Sequence, residues 1–252
     1  MRRRALLTGA ALTLAAAPAP RVPLAATPLS RMDAKWWAER HAAKLRELKA
    51  GRVDLLWIGD SITQDWEKSG PPAWQDFAPV WQRFYAVRNA VNLGFKGDAT
   101  AHLLWRLRNG QLAAAKGAVL LIGANNFGRL RWSVEDSLRG HDACVAEIRR
   151  MVPKLVVISV LPSDRGEWTR DATRGINAGL AQRYAGSKVA GITYVDATPL
   201  FEKNGEIDRE QFYDRLLRPP EPAIHPTAQA HARLAALIEP QVAAMLGDRI
   251  RS

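Results

Sequence analysis

Val53-Asp54-Leu55-Leu56-Trp57-Ile58-Gly59-Asp60-Ser61-Ile62-Thr63 decides the reading of the fold. Residues 53–58 form a short run, apolar apart from Asp54, of the kind that is buried in a parallel sheet. Gly59 stops the run, and glycine lets the chain turn where a side chain would clash. Asp60 and Ser61 then stand between the end of a strand and the start of a helix, the place where open α/β sheets bind their ligands. A serine there can present a free hydroxyl and a free backbone N–H, as a nucleophile requires. Capping of the next helix by Asp60 or Ser61 is the competing use of the same residues.

Working outward, apolar runs recur at residues 85–91, 118–122, 155–160 and 192–195. They alternate with helical patterns at 100–108, 133–151 and 171–184, and the segment 74–84 is aromatic and partly helical. A further helical pattern at 33–49 precedes the first strand, and one at 227–246 follows a long irregular region, 199–226. Strand and helix in repeated alternation call for a five-stranded parallel sheet with helices on both faces, a three-layer α/β/α domain. The 252-residue length suits one such domain.

Three later stretches sharpen the reading of Ser61. Asn92-Leu93-Gly94-Phe95-Lys96-Gly97-Asp98 follows the second run, Gly123-Ala124-Asn125-Asn126 follows the third, and Ile224-His225-Pro226 precedes the last helix. With Gly59-Asp60-Ser61 these resemble the four blocks of the SGNH (GDSL-type) hydrolase family: a GDS serine, a glycine, a G-x-N-D asparagine and a D-x-x-H histidine. Residues 92–112, including His102-Leu103-Leu104-Trp105-Arg106-Leu107 and Asn109-Gly110-Gln111-Leu112, resemble most the branch containing the catalytic subunits of platelet-activating factor acetylhydrolase IB. The doubled Asn125-Asn126 fits that branch better than the wider pattern. The resemblance runs from about Val53 to the C-terminus, and it implies the flavodoxin-like strand order 2-1-3-4-5.

The chemistry follows from the residue types. A serine hydroxyl needs a base to take its proton, and histidine titrates near neutrality. Of His41, His102, His141, His225 and His231, four fall in helical patterns. His225 stands on a loop before a helix, and the resemblance selects it too. Ester cleavage also places negative charge on the carbonyl oxygen, where each fixed donor is worth about 3 kcal/mol. The N–H groups of Ser61 and Gly97 and the amide of Asn125 are the expected donors, with a plain turn glycine and a loop-capping amide as the ordinary uses of the last two. The family's aspartate stands three residues before the histidine, and here that position is Pro222. Three groups can take its place at Nδ1 of His225: the carboxylate of Glu221, that of Asp214, or the carbonyl of Pro222. The first and third are local in sequence and are slightly preferred on that ground.

These residues imply an exported serine esterase acting on short-chain, chiefly acetyl, esters of a carbohydrate or a lipid, without a cofactor. An acyltransferase acting on a glycan uses the same groups, and a protein that binds glycan or lipid without turnover would explain the missing aspartate. No HExxH, CxxC or histidine pair suggests a metal site. The lone Cys144 excludes an intramolecular disulfide and falls in a helical pattern as a core residue.

The N-terminus reads as an export signal spanning residues 1–26, possessing a positive Arg2-Arg3-Arg4, an apolar stretch from Ala5 to Ala17 and small residues up to Ala26. Arg3-Arg4-Ala5-Leu6-Leu7 resembles a twin-arginine signal. The domain then spans 27–252, and the expected location is the periplasm or the medium, without stable membrane insertion. Loss of the signal removes four of 36 Lys and Arg and none of 25 Asp and Glu, which takes the net charge from +11 to +7. The basic residues are scattered, with no nucleic-acid motif, so nucleic acid is not an expected partner.

Overall fold

A computed structural model of the chain describes residues 21–70 and 76–251. The expected export signal lies outside the described residues as far as residue 20, and so do Pro71, Pro72 and Trp74. Five strands, β1 (Leu55–Gly59), β2 (Ala90–Gly94), β3 (Gly117–Leu121), β4 (Leu155–Ile158) and β5 (Ile192–Val195), form one parallel sheet in the order 2-1-3-4-5. Eight helices accompany it among the described residues: α1 (Lys35–Ala50), α2 (Ser61–Gln64), α3 (Ala78–Phe84), α4 (Thr100–Arg108), α5 (Ala124–Gly128), α6 (Val134–Arg149), α7 (Glu167–Tyr184) and α8 (Ala228–Leu246).

Side chains alternate across a strand, so β1 feeds two cores. Leu56 and Ile58 pack with Leu103, Leu107, Ile148 and Ile176 from α4, α6 and α7. Leu55 and Trp57 pack on the other face with Trp81 and Phe84 from α3 and Leu234 and Ile238 from α8. Cys144 is fully buried in the first core, and burial pushes its thiol up to about 12. Its part is therefore packing, as its helical position suggested. Caps fix two helix starts: the Ser133 hydroxyl accepts from Asp136 N–H, and the Thr227 hydroxyl accepts from Ala230 N–H. The second cap holds the loop that carries His225 two residues upstream.

The second strand begins later than the apolar run suggests. Residues 86–88 form a 3-10 turn, and Asn89, left-handed at φ 49°, ends it. Tyr85 is buried against Trp57 and Trp66, so the apolar character of this segment reports core packing rather than a strand. Asn92 sits inside β2 because its amide is satisfied locally, donating to Thr63 O at 2.8 Å and accepting from Gly94 N–H at 2.8 Å. Gly94 is required by proximity, since a side chain there would run into the Gln64 backbone of α2.

A fully buried ion pair ties the upper ends of β1 and β2 together. Arg106 Nε donates to Asp98 Oδ2 at 2.8 Å, and both side chains are completely shielded. The same guanidinium donates to Gly59 O and Leu93 O, each at 3.1 Å, and to Gln111 Oε1 at 2.6 Å. Asp98 Oδ1 accepts from Trp37 Nε1 and Arg31 Nη1, both at 2.9 Å. Removing one partner of such a pair strands the other charge in the core. Asp98→Ala is therefore expected to lower the unfolding free energy by about 3–5 kcal/mol, whereas Arg139→Ala, which breaks the exposed pair with Glu135, costs less than about 1 kcal/mol. Urea denaturation of both variants checks this, and equal costs would show that the buried pair is dispensable.

Candidate active site

Ser61 is the first residue of α2, directly after β1. Asp60 caps the helix, its Oδ1 accepting from Ile62 N–H at 3.0 Å. Both uses anticipated for this stretch thus coexist: Asp60 caps, and Ser61 stays half-buried with its hydroxyl free to meet a base. The Asp60 carboxyl is buried, and burial lifts it to about 7 against the Ile62 bond and the fields of His225 and Arg165.

Gly59 pairs with Gly94 on one side and with Leu121 on the other, so the three strand ends stand next to each other. Neighbouring strands in a sheet lie about 4.8 Å apart. Phe95-Lys96-Gly97-Asp98 is a turn closed by Asp98 N–H to Phe95 O at 3.1 Å, with Gly97 at φ 76°. A positive φ at the third position of a turn favours glycine. Lys96 N–H donates to Gln64 Oε1 at 2.7 Å, which fastens this turn to α2. Asn125 Nδ2 donates to Asp98 O at 2.9 Å, which fastens it to α5. An amide has two N–H bonds, so Asn125 keeps one for a ligand. The N–H groups of Ser61 and Gly97 donate to no protein backbone group among the described residues. Asn126 has a different task, accepting from Thr100 N–H at 3.1 Å and donating to Thr100 Oγ1 at 2.9 Å at the start of α4.

His225 Nε2 lies 3.0 Å from Ser61 Oγ. Its Nδ1 lies 2.7 Å from Asp214 Oδ1, and Asp214 Oδ2 accepts from the N–H groups of Ile224 at 2.8 Å and His225 at 2.5 Å. A carboxylate at Nδ1 holds the proton there and leaves Nε2 able to accept from the serine. The slight preference for the local groups, Glu221 and the Pro222 carbonyl, is therefore corrected. Both residues are exposed, and Glu221 contributes only a backbone N–H to Asp214 O at 3.1 Å. The reason is a long-range pairing. Tyr213 N–H donates to His225 O and Thr227 N–H to Gln211 O, with Phe212 and Pro226 bridged antiparallel, so Asp214 faces His225 across eleven positions.

Three of the remaining histidines, His41, His102 and His231, have hydrogen-bond partners in the fold. His41 stacks on Trp37 and meets Gln111, and His102 Nδ1 accepts from Ala99 N–H at 3.0 Å. His141 is buried near Gly123, and burial pushes it down to about 4. The ring nitrogens of His231 lie 3.1 Å from Ile62 O and from Thr227 O, which links α2 to the His225 loop. Sequence reasoning missed Tyr213, whose ring stacks on His225 at 5.7 Å and whose hydroxyl donates to Asp65 Oδ2 at 3.1 Å. It also missed Arg129 and Arg165 beside the site. The one signal for Arg165 is its place on the loop after β4, since loops at the carboxyl ends of strands border the ligand site in such sheets.

The profile of the GDSL-like lipase/acylhydrolase family matches residues 57–233. The platelet-activating factor acetylhydrolase IB subunit alpha1 of Bos taurus is 29% identical over 186 residues, which cover 71% of this chain and 74% of that protein. The alpha2 subunit of Gallus gallus is 31% identical over 135 residues, 52% of this chain and 53% of that one. Among solved structures, a putative acylhydrolase from Bacteroides fragilis superposes with a TM-score of 0.63 at 16% identity, covering 82% of this chain and 96% of the other. An acetylxylan esterase from Geobacillus stearothermophilus superposes at 0.54 and 18%, covering 79% and 97%. At these identities the superpositions establish the shared fold.

The geometry at Nδ1 makes a clear expectation. Asp214→Asn should lower kcat/KM on an acetyl ester by roughly a thousandfold or more, since an amide at this position can favour the wrong tautomer. Glu221→Gln should stay near the wild-type value. Steady-state kinetics on variants with unchanged melting temperature decide it, and a severe loss in Glu221→Gln with a mild one in Asp214→Asn would return the role to the local carboxylate.

Proposed function

The chain belongs to the GDSL-like lipase/acylhydrolase family, and from that premise we propose that it is an exported serine esterase that removes short acyl groups, acetyl foremost, from a carbohydrate or lipid ester. The observation that carries the reading is the chain of contacts from Ser61 Oγ to His225 Nε2 at 3.0 Å and from His225 Nδ1 to Asp214 at 2.7 Å. Ser61 attacks the ester carbonyl while His225 takes its proton. The oxyanion is held by the N–H groups of Ser61 and Gly97 and the free N–H of the Asn125 amide. His225 then protonates the departing alcohol, and a water activated by the same ring releases the carboxylic acid from Ser61. Asp214 stabilises the imidazolium at both steps. The carboxylate against His225 supports turnover over the non-catalytic binding reading, whose ground was the aspartate absent from position 222.

Acetyl as the acyl group is supported by the names of the relatives, an acetylhydrolase and an acetylxylan esterase. The mature protein is expected to hydrolyse p-nitrophenyl acetate much faster than long-chain p-nitrophenyl esters, in a Ser61-dependent way. Equal or better rates on the palmitate ester would sink the short-acyl reading.

Export rests on the composition of the first segment, and no helix among the described residues is long and apolar enough to cross a membrane. The boundary is better placed upstream of Ala26. Residues Leu24–Ala26 form a 3-10 turn against α4 and α6, with Ala25 buried and its carbonyl accepting from Thr100 Oγ1 at 2.9 Å. Cleavage after Ala26 would remove that residue from the fold. N-terminal sequencing of the exported protein should therefore find a first residue at or before Pro23. A mature chain beginning at Thr27 would overturn this placement, and full-length protein confined to the cytoplasm would overturn export.

A further inference from the structure

Two arginines flank the candidate site without a carboxylate partner. Arg129 follows α5 and lies over Gly97 so closely that a side chain on that glycine would run into its Nη1. Arg165 crosses back from the loop after β4 and lies against Gly128, with Nη1 3.3 Å from Ala124 O. Neither forms an ion pair among the described residues, although Arg165 is half-buried, and buried arginines are ordinarily paired. Three neighbouring charges, those of Arg31, Asp164 and Arg131, are otherwise committed. Arg31, also near Gly97, is held by Asp98 at 2.9 Å, and Asp164 is shared by Arg170 and Arg209. Arg131 stacks on Trp168, 4.3 Å from the ring centroid. Arg165 feels the fields of Asp60, Asp214 and Arg129, and burial draws its pKa down, so its charge is held at a cost that an anion would relieve.

We propose that Arg129 and Arg165 form an anion subsite and that the preferred ester carries a carboxylate or phosphate on its alcohol half, close to the acylated oxygen. The inference rests on the esterase reading and narrows its substrate class. The placement fits the chemistry. Arg129 lies over Gly97, and Arg165 packs on Ala124 and Gly128 of α5, the helix that carries Asn125, so a group bound there belongs to the molecule whose carbonyl oxygen Gly97 and Asn125 hold. Guanidinium matches carboxylate and phosphate through paired N–H donors, and each pairing of this kind is stronger than a neutral hydrogen bond.

The test compares kcat/KM on matched acetyl esters: acetylated galacturonate against acetylated galactose for the carboxylate source, and acetylated glycerol phosphate against acetylated glycerol for the phosphate source. Wild type should favour at least one anionic ester over its neutral partner by tenfold or more, and added NaCl should shrink that ratio. Arg165→Ala and Arg129→Ala should each reduce it at least tenfold, with Arg165→Lys between them and wild type. Which pair responds identifies the anion. A wild-type ratio near one, or arginine variants that lower both members of a pair equally, would overturn the subsite while leaving the esterase reading standing. No Ser61-dependent turnover on any neutral or anionic ester would instead defeat the esterase reading, and this inference with it.

Discussion

The Arg106–Asp98 pair is the constraint on which the site depends. A guanidinium and a carboxylate completely removed from water are tolerable only when they are paired and hydrogen-bonded. Arg106 meets this condition by binding carbonyls at the ends of two adjacent strands, that of Gly59, the last residue of β1, and that of Leu93, the penultimate residue of β2, together with Gln111. Asp98 meets it by accepting from Trp37 and Arg31 as well. Its own carbonyl is then the acceptor that holds Asn125. One buried charge pair therefore fixes the end of β1 before Ser61, the turn that presents Gly97, and the amide of Asn125. Placing donors in advance is what makes an oxyanion site effective, because no reorganisation is then needed during reaction.

The base is positioned by a different device. Among the described residues no strand of the sheet hydrogen-bonds His225; its loop is held by antiparallel pairing with residues 211–213, by the Thr227 cap of α8, and by His231 spanning Ile62 and Thr227. Asp214 uses both oxygens in this arrangement, one on the ring and one on two backbone N–H groups. A single carboxylate thus shapes the loop and orients the imidazole. The Tyr213 ring closes one face of His225 and is anchored through its hydroxyl to Asp65, which also pairs with Lys68 at 2.5 Å. The histidine is therefore held from its edge, its face and its backbone.

Most of the architecture and four of the site positions were legible because they are local. Unbroken apolar runs mark strands buried on both faces, period-3.6 patterns mark the buried faces of helices, and alternating strands and helices admit few topologies. Ser61, Gly97 and Asn125 follow the ends of β1, β2 and β3 by two, three and four residues, so the order of elements alone brings them to one edge of the sheet. His225 stood out because a loop histidine before a helix has no packing role to perform. The start of β2 was less legible, since the aromatic packing of Tyr85 and the internal bonding of Asn92 both run against the simple pattern.

What the sequence by itself determined was the sheet, its two helical layers, the serine, the histidine and the pair of oxyanion candidates. What only the tertiary structure decided was the partner of His225 and the surroundings of the site. Asp214 and His225 are eleven positions apart and become neighbours through backbone pairing between two irregular segments, which leaves no periodic trace in the sequence. Arg129 and Arg165 come from two different loops and look like any other surface arginines in a basic chain. Only the packing around α5 sets them apart: Arg129 lies beside Gly97 and Arg165 against Gly128, and neither forms an ion pair among the described residues.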